Sequence, residues 1–276
     1  MINIPFEIVK LDDDGVQIFT NSYLNNIPAR MIIDTGASKS LISNEFIEKH
    51  FPNYTQNKIL NTKGSGIGEK LKKSFKTTLP CISYKNHITE NFEIIIIDFE
   101  HIHNVFEYLG LEKINGILGC DLLKLWELNI DYSQSNEYEF IQPDGLGCQL
   151  ITTNCKIAGL NLRFLIDSGA SRTVIDFHTF NNLPFKLKKT VNSTPIAGLN
   201  SSINNISEFT IDTFTLGEFT IKNQSFLTMS INTINEYYSK LGWPIIEGIL
   251  GGDLLLKFHF TIDFKNNCLI TPFNVN

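Results

Sequence analysis

The chain reads Ile32-Ile33-Asp34-Thr35-Gly36-Ala37-Ser38 and, 133 residues later (167 − 34), Leu165-Ile166-Asp167-Ser168-Gly169-Ala170-Ser171. A second pair follows in the same order. Gly116-Ile117-Leu118-Gly119-Cys120-Asp121-Leu122-Leu123 is answered by Gly248-Ile249-Leu250-Gly251-Gly252-Asp253-Leu254-Leu255, 132 residues on (248 − 116). The offsets differ by one, as when a single residue is gained or lost in an intervening loop. The register also holds at Arg30 and Arg163, at Leu109-Gly110 and Leu241-Gly242, and at Ile130-Asp131-Tyr132 and Ile262-Asp263-Phe264. Two copies of so long a unit do not make a solenoid, which stacks shorter repeats several times. They predict two similar lobes, residues 1–143 and 144–276, divided near the turn-rich Pro143-Asp144-Gly145-Leu146-Gly147.

Each half reads as β structure with little helix. Residues 15–24 alternate apolar and polar, Asn25-Asn26 supplies a hairpin turn, and residues 28–33 return. In the second half residues 148–157 alternate, Ala158-Gly159 turns, and residues 162–166 return. Residues 92–97 and 225–231 are matching strands. Both return strands run straight into Asp34 or Asp167, so each Asp sits where a strand becomes a loop. Residues 119–125 and 251–257 follow a glycine and predict one short helix per lobe. The expected architecture is all-β, with two lobes related by a pseudo-twofold axis and a cleft between them.

Composition sets the outer limits. Of 276 residues, 42% are hydrophobic and 19% charged, enough apolar surface for packed cores. Phe is abundant at 21 residues, which leans the chain toward sheet. The net charge is −6 and no basic block stands out, which disfavours a nucleic-acid partner. No apolar run approaches the ~20 residues of a membrane helix, and the first ten residues do not read as a secretory leader. Five cysteines, Cys81, Cys120, Cys148, Cys155 and Cys268, are odd in number and lack a C-x-x-C pair. They read as free thiols of a reducing, cytoplasmic compartment, with no structural zinc and no cofactor.

A lone Asp-Thr-Gly is an ordinary turn. Here an apolar strand precedes it, Ala-Ser follows it, and an apolar-apolar-Gly segment trails it, all twice. A twofold axis brings equivalent residues together. Asp34 and Asp167 would then face each other, and two carboxylates that close share one proton and titrate as a unit. Such a pair can take a proton from a water and give one to a carbonyl oxygen, hydrolysing an amide without metal and without a covalent intermediate. Gly36 and Gly169 would let backbone approach the carboxylates. The Thr35 and Ser168 hydroxyls would bond the opposite lobe's backbone and lock the loops.

These motifs resemble the aspartic peptidases of the pepsin and retropepsin superfamily, and more narrowly the bacterial retropepsin-like form with two lobes in one chain. The resemblance spans both halves. It implies catalytic Asp34 and Asp167, an extended peptide in the cleft, Ile117 and Ile249 lining side-chain subsites, and Gly36 and Gly169 carbonyls bonding substrate backbone. It also implies flaps over the cleft. Gly64-Ser65-Gly66-Ile67-Gly68 and Ala197-Gly198-Leu199-Asn200 are the candidates, placing Gly66, Ile67, Gly198 and Leu199 against substrate. The flap tyrosine of pepsin-type enzymes is missing. Ala37 and Ala170 stand where those enzymes carry Ser or Thr, as in retroviral enzymes, while Ser38 and Ser171 replace the retroviral Asp.

The expected function is therefore an endopeptidase, with a peptide-binding module of the same fold as the alternative. Its partner is a peptide or protein substrate, and one chain suffices as an active monomer because the duplication supplies both lobes. His101 and His103 read as solvated loop residues, Asp121 and Asp253 as structural acids opening helices, Arg30 and Arg163 as outward or interlobe side chains, and Trp126 and Trp243 as packing residues.

Overall fold

The computed structural model describes residues 2–3, 6–11, 15–52, 58–60, 74–132, 138–141, 150–184, 189–190, 196–197, 202–203, 206–217, 219–240, 242–266 and 268–272. In the first half the principal strands are β1 (Val16–Leu24), β2 (Ile27–Ile33), β3 (Leu41–Ser43), β4 (Ser74–Tyr84), β5 (His87–Ile97) and β6 (Gly116–Leu118). They pair in the order β1-β2-β6-β3-β5-β4, and β4 returns to β1 to close a barrel. The second half repeats this with β7 (Thr152–Ile157), β8 (Leu160–Ile166), β9 (Val174–Asp176), β10 (Ser207–Leu216), β11 (Phe219–Met229) and β12 (Gly248–Leu250). Their order is β7-β8-β12-β9-β11-β10, again closed by β10 on β7. Two six-stranded lobes of one topology follow from one duplicated sequence pattern.

Turn chemistry starts each lobe. Asn25 and Asn26 adopt φ of 47° and 68°, and Ala158 and Gly159 adopt 57° and 81°. Such left-handed pairs match the twist of a two-residue hairpin. The hairpins lay β1 on β2 and β7 on β8, and each return strand delivers its Asp loop. The short strand before the second motif then slots in. Ile117 of β6 lies between Ile32 of β2 and Leu41 of β3, and Ile249 of β12 lies between Leu165 of β8 and Val174 of β9. Each Asp loop therefore leaves and rejoins the sheet on either side of one clamping strand.

The cores explain the Phe-rich composition. Phe164, Phe209, Phe214 and Phe226 are fully buried in the second lobe. The Phe214 and Phe226 rings lie 5.3 Å apart and those of Phe164 and Phe214 6.0 Å apart, in tilted geometry that aromatic quadrupoles favour. The first lobe fills the same space with Ile18, Met31, Ile33, Ile42, Ile94 and Leu118.

The expected helices are α3 (Cys120–Leu125) and α6 (Gly252–Lys257). Each lobe carries two more among the described residues: α1 (Asn44–His50) and α2 (Glu100–Tyr108), then α4 (Phe177–Asn181) and α5 (Asn232–Lys240). Ser43 caps α1 by accepting from Phe46 N, and Asp176 caps α4 by accepting from His178 N and Thr179 N. Helix α2 corrects the expectation that His101 and His103 lie on a solvated loop. Ile102, His103 and Phe106 face inward at helical spacing, and the His103 ring bonds the Ile114 carbonyl at 2.8 Å. His103 is thus a satisfied core histidine.

A shared sheet joins the lobes. Its order is Ile2–Asn3, Leu128–Asp131, Thr261–Asp263, Cys268–Pro272, Tyr138–Ile141. Ile130 pairs with Ile262, so these two repeat-related residues are direct antiparallel partners. The strand Tyr138–Ile141 pairs with Cys268–Pro272, drawing residues of both halves into one sheet.

Candidate active site

Asp34 and Asp167 leave β2 and β8 under backbone control. Asp34 N donates to Leu118 O and Asp167 N to Leu250 O, both at 3.0 Å. Each carboxylate then turns back on its own loop. Asp34 Oδ1 accepts from Gly36 N at 2.9 Å and Ala37 N at 2.8 Å, and Asp167 Oδ1 accepts from Gly169 N at 2.8 Å and Ala170 N at 3.0 Å.

The loops meet head to head. A Cβ on Gly36 would run into the Asp167 carboxylate, and one on Gly169 into that of Asp34. Glycine is required there because the opposite lobe's carboxylate fills the space. The two carboxylates hydrogen-bond one another. Burial raises both pKa values. The negative charge of Asp167 and the bond to it raise Asp34 further, well above the usual carboxylate range. For Asp167 the bond from Asp34 and the N–H groups of Gly169, Ala170 and Gly36 partly offset burial. One proton held between two acids is the cheapest state of such a pair.

A reciprocal hydroxyl lattice fixes the meeting. Thr35 Oγ1 donates to Ile166 O at 2.8 Å and accepts from Ser168 N at 2.9 Å. Ser168 Oγ donates to Ile33 O at 2.8 Å and accepts from Thr35 N at 3.1 Å. Both residues are fully buried, so each of the four bonds satisfies groups that water cannot reach.

Behind the loops the Gly-Cys-Asp and Gly-Gly-Asp segments act as props. Ala37 O accepts from Cys120 N and Ala170 O from Gly252 N, both at 2.8 Å. A Cβ on Gly119 would lie 2.6 Å from the Lys39 backbone, and one on Gly251 2.6 Å from that of Arg172. The glycine ending each apolar segment is therefore set by backbone contact. Asp121 Oδ1 accepts from the Ser40 hydroxyl at 2.7 Å and from Ser40 N at 2.9 Å. Asp253 Oδ1 accepts from the Thr173 hydroxyl at 2.6 Å. Those hydroxyls in turn accept from Gly119 N and Gly251 N, both at 3.0 Å. Ser40 and Thr173 escaped the sequence reading. Their common offset of 133 and their shared hydroxyl were the signal.

The other named residues fall as follows. Ile117 and Ile249 are 2% and 0% exposed and pack within apolar clusters, so in this structure their side chains lie in the lobes and not on an open wall. Gly66, Ile67, Gly198 and Leu199 lie outside the described residues. Arg30 bonds Glu7 at 2.7 Å and stacks 4.2 Å over the Phe19 ring. Trp126 is buried and donates to Thr89 Oγ1 at 2.8 Å, while Trp243 packs on Tyr238. Cys120 Sγ donates to Thr35 O at 3.2 Å, and burial pushes its thiol pKa up, away from nucleophilic character.

Fold and site together define a two-lobed β protein that presents one carboxylate from each lobe at a shared axis, Asp167 buried and Asp34 half-buried. The chain belongs to the aspartyl protease family: the family's model matches residues 20–122 and again 153–254. Among solved structures it is similar to the EIAV protease complexed with the inhibitor HBY-793, at 24% identity over 38% of this chain and 85% of that one, with a TM-score of 0.30. It is also similar to a retropepsin-like aspartic protease from Rickettsia conorii, at 21% identity over 45% of this chain and 85% of that one, with a TM-score of 0.27. A comparison with curated proteins finds no match. No helix among the described residues is long and apolar enough to cross a membrane.

Proposed function

We propose that the protein is an aspartic endopeptidase whose catalytic residues are Asp34 and Asp167. The observation that carries this is the pair itself. Two carboxylates from opposite lobes hydrogen-bond one another, each packed against the other loop's glycine, with both pKa values raised by burial. Nothing in barrel stability calls for two like-charged groups at the axis, and burying them there costs free energy.

The chemistry follows from the shared proton. The ionised carboxyl removes a proton from a water held between the two, and the water oxygen attacks the peptide carbonyl carbon. The protonated carboxyl donates its proton to the carbonyl oxygen, giving a neutral tetrahedral diol. One diol hydroxyl gives its proton to the ionised carboxylate as the C–N bond breaks, and the protonated carboxyl gives its own to the departing amine, which restores the one-proton dyad. Thr35 and Ser168 hold the two loops in register, and Gly36 and Gly169 admit the substrate. The lobes, residues 1–143 and 144–276, supply one Asp each, so a monomer suffices. The substrate is an extended peptide, and the reducing character of the thiols supports a cytoplasmic setting.

The test is turnover of a peptide library by Asp34→Asn and Asp167→Asn variants. Each is expected to lose about 10³-fold or more, and the double variant little more than either, because the groups act as a unit. Robust cleavage by either single variant would refute the assignment. Tight binding of peptides by a wild type that cleaves none of them would favour a peptide receptor instead.

A further inference from the structure

Helix α2 brings an imidazole, the side chain whose ordinary titration falls near neutral pH, to the strand that clamps the Asp34 loop. His103 of α2 and Asn235 of α5 are repeat-related (235 − 103 = 132), and each holds the backbone just ahead of a clamping strand. Asn235 does so with a closed pair of bonds. Its Nδ2 donates to Ile246 O and its Oδ1 accepts from Ile246 N, both at 2.8 Å. His103 sets Nε2 2.8 Å from Ile114 O. A carbonyl oxygen only accepts, so Nε2 carries the hydrogen and the neutral ring keeps a lone pair on Nδ1.

That nitrogen lies 3.7 Å from Glu45 Oε2 of α1. A lone pair and a carboxylate are both acceptors, so the neutral ring makes no bond to Glu45. One proton on Nδ1 turns the two acceptors into a charge-assisted pair that joins α1 to α2. Ring and carboxylate line a cavity of about 140 Å³. The other charged groups lining it are Asp98 and Glu100 at the start of α2 and Lys113 ahead of β6. The His103 side chain is 9% exposed and that of Glu45 70%, so the proton reaches the ring from the Glu45 side.

Ile114, which His103 holds, leads straight into β6. Asn115 N donates to Arg30 O at 2.7 Å and Asn115 O accepts from Ser43 N at 2.8 Å, which seats β6 between β2 and β3. At the end of β6, Leu118 O accepts from Asp34 N at 3.0 Å. We propose that His103 is a positioning residue whose hold on the Asp34 loop depends on its own protonation. As imidazolium it pairs with Glu45 and ties α1, α2 and β6 into one unit. The neutral ring holds β6 and leaves α1 unfastened to α2 at this point. Asn235 gives the second lobe a hold that no proton alters. The pairing stands on the fold, and its effect on turnover rests on the peptidase assignment.

The experiment is urea unfolding of the full chain as wild type, as His103→Asn, which copies Asn235, as Glu45→Gln and as the double variant. It is run at about pH 5.5, where an ordinary glutamate is ionised and an ordinary imidazole protonated, and at about pH 8.5, where the imidazole is neutral. At the lower pH the two substitutions should couple by about two- to fivefold in the unfolding constant, the worth of an ion pair with one exposed partner. At the higher pH they should be additive. With a cleavable peptide, the ratio of wild-type to Glu45→Gln kcat should be larger at the lower pH, by up to about the same factor. The dyad's own titration cancels from that ratio. Coupling of equal size at both pH values, or at neither, would overturn the proposal. So would coupling confined to the lower pH with a kcat ratio that ignores pH, since that describes a structural ion pair and no positioning role. If His103→Asn does not fold, the stability gap between wild type and Glu45→Gln decides. It should be wider at the lower pH, and an equal gap at both would overturn the proposal. Failure to cleave any peptide would sink the peptidase assignment and the effect on turnover with it, while unfolding still decides the pairing.

Discussion

Replacing Thr35 by Val tests whether the hydroxyl lattice holds the two lobes in register. Val has nearly the shape of Thr but no hydroxyl, so packing changes little. Two buried groups lose their partner: Ile166 O, which accepts from Thr35 Oγ1, and Ser168 N, which donates to it. Each buried group left unmet costs ~1–3 kcal/mol, so the variant should lose about 2–6 kcal/mol of stability. Against a total of ~5–15 kcal/mol for a typical native protein that is a large share. Thr35→Ser keeps the hydroxyl and removes one buried methyl, at a cost of about 1 kcal/mol. Urea unfolding followed by tryptophan fluorescence compares the two. Because the lattice also positions Asp34 and Asp167, kcat should fall in the Val variant more than in the Ser variant at temperatures where both are folded. Ser168→Ala should behave like Thr35→Val, and combining them should cost less than the sum, since both cut the same lattice. Equal unfolding midpoints for the Val and Ser variants would refute the reasoning.

Other outcomes follow from the same geometry. The raised pKa values of both Asp residues mean that the folded dyad holds its protons more tightly than the unfolded chain does. Its contribution to stability is therefore fully present below the unfolded carboxylate pKa and is lost as pH rises through the raised folded values. Asp34→Asn keeps an acceptor oxygen for Gly36 N and Ala37 N but cannot ionise. Its Tm should exceed that of wild type near neutral pH, by about 2–4 °C per kcal/mol, and the gap should close in acid. A gap independent of pH would contradict the shift. Hydrolysis should follow a bell in pH shifted upward from an ordinary carboxylate pair, because burial raises both acids and one must be ionised while its partner is protonated. An optimum in strong acid would be inconsistent with it. Gly119→Ala pushes a Cβ to 2.6 Å from the Lys39 backbone. It should cost ~1–3 kcal/mol and reduce kcat by displacing the Asp34 loop, whereas unchanged unfolding and turnover would show that the loop is not propped there.

The repeat, the hairpins and the two Asp loops were legible in the sequence because each is local. A strand period, a two-residue turn and a triplet with its trailing glycine all lie within a few residues. The long strands Ser74–Tyr84 and Ser207–Leu216 were not anticipated. Their charged and polar residues blur the alternation, and they are strands because partners on both sides claim their backbone groups. Helix α2 was hidden for a similar reason. Its buried His103 looks polar in sequence and is made a core residue by the Ile114 carbonyl.

What the sequence alone determined was the duplication, the all-β character and which two carboxylates occupy equivalent positions. Local periodicity and turn chemistry suffice for those. Only the tertiary structure decided that Ile130 pairs with Ile262, that Ser40 and Thr173 tie the props to the loops, and that Gln17 crosses the axis to Gly169. These contacts join residues far apart in the chain. They depend on the distance between barrel surfaces, a quantity that no one-dimensional pattern encodes.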